Sequence, residues 1–180
     1  MSPAIADLMN EHEAILAALQ TLGRMIAAMD KTSSIDTGDM HDFIGFLKEF
    51  ADKCHHGKEE GLLFPAMVKA GVPQQGGPVG VMLAEHAQGR LFIRGMDEAI
   101  AGDLDQAKLA ASANGYISLL KSHIYKENNI LFPMAEKVLS TETLEKLYVA
   151  FEEFEEKVIG HGRHEELHAM LHHLAAKYPA

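Results

Sequence analysis

The chain has 180 residues, 47% of them apolar, and carries 16 Lys and Arg against 26 Asp and Glu for a formal charge of −10. That is one ordinary domain with material for a sizeable core, which excludes a disordered chain, and without a basic cluster it argues against a nucleic-acid partner. One cysteine excludes a disulfide framework or a Cys-rich metal site, and no apolar run approaches the roughly 18 residues of a membrane span. With no basic leader at the N-terminus, the expectation is a cytoplasmic protein. The oddity in the composition is eleven histidines.

Strand signals are nearly absent, while Ala, Leu, Met, Glu and Lys dominate the segments between breaks. The first helix is expected over 3–30, opened by Pro3 after Ser2, and ends at the loop Lys31–Gly38. A second follows over 38–70, closed by the Gly- and Pro-rich stretch Ala70–Pro78. Pro78 after Gly77 starts a third over 79–102, and the weak break Gly102-Asp103 precedes a fourth over 105–139. Ser140-Thr141 and Gly160-His161-Gly162 bound two shorter helices, 142–158 and 163–177. Four long helices with short connections predict an all-α fold, an up-down-up-down antiparallel four-helix bundle. Residues 1–139 are read as that bundle and 140–180 as a C-terminal extension of two helices packed on it.

One self-match runs through the bundle. Residues His55-His56-Gly57-Lys58-Glu59-Glu60-Gly61-Leu62-Leu63-Phe64-Pro65 align without a gap on His123-Ile124-Tyr125-Lys126-Glu127-Asn128-Asn129-Ile130-Leu131-Phe132-Pro133. Upstream of each copy stands a Glu-His pair, Glu11-His12 and Glu85-His86. Stepping about 3.6 residues at a time from Ile44 passes Leu47, Ala51, His55, Glu59 or its neighbour, Leu62 and Ala66. From Tyr116 it passes Leu120, His123, Glu127, Ile130 and Met134. His12 and His86 fill vacant slots in the apolar series of their own helices. Six polar residues thus share the buried stripe, and a His and a Glu at i and i+4 face one centre together. Buried carboxylates beside four imidazoles need compensation, and a metal centre provides it; this donor set suits iron, zinc, copper or manganese better than calcium or magnesium.

The twice-present H-x-x-x-E-x-x-L-F-P pattern, over about residues 8–139, resembles the hemerythrin-like, or HHE cation-binding, proteins. The resemblance implies a four-helix bundle holding two iron ions in a non-haem, oxo- or hydroxo-bridged centre. His12, His55, His86 and His123 would be terminal ligands, and Glu59 and Glu127 would bridge. His56 and Glu60 form a second His-x-x-x-Glu pair, shifted by one; alignment to the other copy selects His55 and Glu59 and leaves His56 as a flanking residue or one that supports a ligand. Oxygen-carrying hemerythrins place another His four residues after the first on helix three, where this chain has Arg90. That departure puts reversible oxygen carriage in doubt and favours reaction with O₂, peroxide or NO.

The expected function is therefore a cytoplasmic di-iron protein that binds and reduces or detoxifies small oxidants or NO, with no nucleic-acid or membrane partner. The alternatives are a non-catalytic O₂, NO or iron sensor, an iron store, and repair of iron–sulfur clusters. Known repair proteins usually carry an extra Cys-bearing N-terminal module that this chain lacks. His164-Glu165-Glu166-Leu167-His168 spells H-E-x-x-H, but without a strand to hold substrate it reads as part of a polar stripe. Glu152, Glu153, Glu155 and Glu156 read as a solvated face, and Cys54 as a buried thiol. Leu62, Leu63, Ile130 and Leu131 are candidates to line the pocket, and Tyr116 and Tyr125 to approach it. Pro65 and Pro133 are expected to kink or end their helices.

Overall fold

The computed structural model describes residues 1–32 and 34–179; Ser33, within the first expected loop, lies outside the described residues. Among those residues the chain forms six helices and no strand. They are α1 (Pro3–Thr32), α2 (37–69), α3 (Pro78–Ile100), α4 (106–138), α5 (Thr141–Val158) and α6 (Arg163–Lys177). The starts follow the local chemistry. Asp36 accepts from the amides of Gly38 and Asp39, Asp105 from that of Lys108, and Ser140 from that of Thr143; Pro78 opens α3. Gly162, at φ +77°, turns the chain into α6 in a conformation that favours glycine.

The four long helices bury two separate apolar cores. One gathers Leu19, Leu22, Phe43, Phe50, Met96 and Tyr116, and the other Leu8, Leu63, Met67, Met82, Leu131 and Phe132. α3 and α4 approach closely because glycines face them: a Cβ on Gly115 would stand 2.4 Å from the Phe92 ring, and one on Gly95 2.5 Å from Ser112 Oγ. α5 and α6 lie against α1 and α2. α5 contributes Leu144, Leu147 and Phe151 to one core, and α6 contributes Leu167, Leu171 and Leu174 to the other. Burying each such side chain is worth about 1.5–3 kcal/mol, against about 0–1 kcal/mol for an exposed ion pair, so leucines and phenylalanine hold the extension down.

α2 and α4 depart from regular geometry at matching places. Both prolines are passed without ending the helix: each is preceded by a π-helical turn, Glu59–Leu63 in α2 and Glu127–Leu131 in α4. Phe64 N–H bonds the Glu59 carbonyl and Phe132 N–H that of Glu127, five residues back. A proline lacks the N–H for its i−4 carbonyl and its ring crowds that group, and a widened turn relieves both problems. A longer π-helical stretch, Leu47–His56, lies upstream in α2.

The wide turns correct the helical phase. Up to Glu59 and Glu127 the expected stripe is buried; beyond them, expected Leu62 and Ala66 give way to Leu63 and Met67. Likewise Leu131 and Ala135 replace Ile130 and Met134, and Ile130 is 53% exposed. Ile130 therefore lines no interior pocket, and Tyr125, 66% exposed, does not approach the site.

Candidate metal centre

Between the two apolar cores lies one polar layer. His12 comes from α1, His55, His56 and Glu59 from α2, His86 from α3, and His123 and Glu127 from α4, all of them buried. All six residues expected from the sequence meet here. Each carboxylate sits between imidazoles of opposite halves. Glu127 Oε2 is 3.2 Å from His12 Nε2 and 3.1 Å from His123 Nε2, while Glu59 is 3.7 Å from His55 Nε2 and 3.4 Å from His86 Nε2. His86 Nε2 and His123 Nε2 face each other at 3.1 Å.

The four imidazoles of the expected set are held from behind through Nδ1. His55 donates to Glu11 at 2.8 Å and His123 to Glu85 at 2.9 Å, so each Glu of a Glu-His pair holds the histidine of the following helix. His12 donates to Asn128 Oδ1 and His86 to Glu60 Oε1, both at 2.7 Å, and Asn128 and Glu60 are equivalent positions in the repeat. Placing the proton on Nδ1 leaves a lone pair on Nε2 aimed into the layer, the arrangement usual for metal-binding histidines. The phenylalanines of the two L-F-P motifs stack on the opposite pair: Phe132 on His12 at 5.3 Å and Phe64 on His86 at 5.8 Å.

The donors inside the layer lack partners. Both oxygens of Glu59, both of Glu127, Nε2 of His12 and of His55, and both nitrogens of His56 are buried without an aligned hydrogen bond. An orphaned buried polar group costs about 1–3 kcal/mol, more when charged, and folded proteins rarely tolerate several together. The layer gathers carboxyl and imidazole ligand atoms in a buried space, and these residues fit metal ions. Ligating atoms converge in two groups: His12, His55, Glu59 and Glu127, and His56, Glu59, His86 and His123, each within 4.8 Å.

The sequence reading set His56 on the flank or behind a ligand; the structure buries its ring inside the layer. Burial, then the neighbouring His86, drives its pKa well below the ordinary imidazole value, so the ring is neutral. A signal existed: in the repeat His56 aligns on Ile124, an apolar and buried residue, which marks the position as inward. Arg90 points away from the layer and clamps Asp52 and Glu60 at 2.8 Å each. Tyr116 is fully buried in a core, with its hydroxyl unpartnered.

Outside the layer, Lys58 is wholly buried among Asp7, Glu11 and Glu155 at 2.9–3.1 Å. Glu155 therefore leaves the solvated face expected for its run; His164 Nδ1 also donates to it at 2.5 Å. His164 and His168 stack on each other and set their edges against Phe50, so the H-E-x-x-H histidines are packing residues, and Glu165 is exposed. Burial, aided by Glu11, pushes the Cys54 thiol up to about 12, which keeps it protonated. A pocket of about 360 Å³ lined by Phe64, Pro65, Val68, Val79 and Leu83 backs onto Glu60 and Phe64, which brace His86. No helix among the described residues is long and apolar enough to cross a membrane.

With this architecture and donor set the molecule is a helical metal-binding bundle. The family description "Hemerythrin HHE cation binding domain" matches residues 4–135, and the chain belongs to that family. It is similar to the iron-sulfur cluster repair protein YtfE of Musicola paradisiaca (strain Ech703), with 36% identity over 89 residues. That match covers 45% of this chain and 40% of the relative, so the chain spans about two fifths of that protein's length. No solved structure matches it.

Proposed function

We propose that this protein holds two iron ions between its apolar cores and uses them to bind and reduce or detoxify small oxidants (O₂, peroxide) or NO. The observation that carries the reading is the closed layer of unpartnered carboxylate and imidazole atoms. In this reading His12, His55, His86 and His123 are terminal ligands, and Glu59 and Glu127 span the pair, as their placement between opposite imidazoles supports. Bound iron would supply the electrons for the small molecule. The chain's own part is to hold Nε2 lone pairs inward, exclude water with Phe64 and Phe132, and keep both carboxyl groups between imidazoles of opposite halves. Metal analysis of protein produced with iron tests the centre, with about two irons per chain expected and a zinc-only protein counting against redox chemistry. Consumption of peroxide or NO with an external reductant tests the activity; iron that binds but never cycles leaves sensing or storage.

A second reading is repair of iron–sulfur clusters, favoured by the likeness to YtfE. Delivery of iron from the loaded protein to a cluster-free iron–sulfur acceptor, measured by recovery of the acceptor's absorbance, separates it from the first.

A further inference from the structure

The repeat gives the layer an approximate two-fold pattern, with residues 68 apart doing the same work. Lys58 and Lys126 pair with Glu11 and Glu85, Glu60 and Asn128 hold the opposite histidines, and Phe64 and Phe132 stack on them. His56 breaks the pattern, because its counterpart is Ile124.

His56 is 3% exposed, and neither ring nitrogen has a hydrogen-bond partner. Its Nδ1 stands 3.6 Å from Asp52 Oδ1, beyond bonding range. Arg90 occupies that carboxylate instead, with Nε at 2.8 Å and Nη2 at 2.7 Å. The ring lies flat on His86 at 3.8 Å and edge-on to His123 at 5.7 Å. One of its nitrogens is within 4.8 Å of donor atoms of Glu59, His86 and His123, the same spread that gathers His12, His55, Glu59 and Glu127. Both ring nitrogens of an imidazole can hydrogen-bond, and ordinary core packing rarely leaves the two unused in a buried site.

Resting on the two-metal reading above, we infer that His56 is a fifth imidazole ligand, given to the ion held by His86, His123 and Glu59. The two ions then differ: that one has three imidazoles, and its neighbour at His12 and His55 has two. His56 supplies from α2 what Arg90 cannot supply from α3, and the ion nearer His86 is the more firmly held.

The test is anaerobic titration of metal-free protein with iron(II) against a competing chelator. Wild type is expected to take two equivalents. His56→Leu is expected to fold, as judged by circular dichroism of the metal-free form, and to bind one equivalent at least about tenfold more weakly. The comparison value is the roughly 10–100-fold loss seen when groups merely supporting a ligand are removed. Two equivalents bound with unchanged affinity overturn the assignment, whereas a wild type that binds no iron overturns the two-metal reading itself. If His56→Leu fails to fold, nitrogen-15 NMR of histidine rings in zinc-loaded wild type decides. A His56 ring nitrogen that shifts on zinc addition supports ligation, and one that stays at its metal-free position overturns it.

Discussion

Glu11 faces His55 and Lys58 at once: one carboxylate oxygen accepts from His55 Nδ1 at 2.8 Å and the other from Lys58 Nζ at 2.9 Å. Burial works against its charge, but the two partners together lower its pKa. The residue before His12 therefore fixes a histidine on the next helix and helps neutralise a wholly buried ammonium.

Glu11→Ala should cost about 3 kcal/mol in stability, the lower end for breaking a buried ion pair, because Asp7 and Glu155 still reach Lys58. Iron affinity should fall about 10–100-fold as His55 loses its orienting partner. Denaturant unfolding and chelator competition measure the two effects; an unchanged affinity would refute the orienting role.

Glu59→Ala and Glu127→Ala should reduce bound iron well below one ion per chain, since each carboxylate lies between imidazoles of both halves. Glu60→Ala, which removes the acceptor behind His86 and one partner of Arg90 but no carboxylate of the layer, should retain substantial iron at about 10–100-fold weaker affinity. Elemental analysis of the three variants checks the ranking, and equal losses would mean that the register of the His-x-x-x-Glu pair is wrong.

The phase shift after the π-helical turns predicts a contrast between neighbours. Leu131→Ala, at 1% exposure, should destabilise by about 2–5 kcal/mol through the cavity it leaves. Ile130→Ala, at 53% exposure, should stay within about 0.5 kcal/mol of wild type. Comparable losses in denaturant unfolding would contradict the turn.

The clasp between α5 and α6 predicts a pH dependence. The hydrogen bond from His164 holds Glu155 down to about 2 against burial, with help from Lys58, and the same bond raises His164 against burial. A lowered carboxyl stabilises fully above its free value of 4.5, and that contribution is lost as the pH falls towards about 2. A raised imidazole stabilises fully below 6.5, and that contribution is lost as the pH rises through its folded value. Protection of α6 amides, as exchange rates relative to the intrinsic rate at each pH, should therefore be greatest between pH 4.5 and 6.5. Replacing His164 and His168 by Gln should flatten the alkaline limb and leave bound iron unchanged; loss of iron would make the tail part of the centre.

Helix limits were legible in the sequence because Gly, Pro and capping residues act locally: the six expected segments match the observed helices to within two residues at every end. The inward set His12, His55, Glu59, His86, His123 and Glu127 was legible because the repeat states it twice. Past Glu59 and Glu127 the 3.6-residue rule failed. A proline announces a missing hydrogen bond, but whether the helix stops, kinks or widens depends on the packing around it.

What the chain alone determined is the periodic and the local: helix starts, the alternation of apolar and polar faces, and two matched copies of one ligand motif. What tertiary structure decided is everything that depends on distance between helices. It turned His56 inward, swung Arg90 onto Asp52 and Glu60, and drew Glu155 from a solvated run to Lys58 and His164. The reason is physical: a side chain's partner is set by what stands opposite it after packing, and sequence spacing reports only what shares its own helix face.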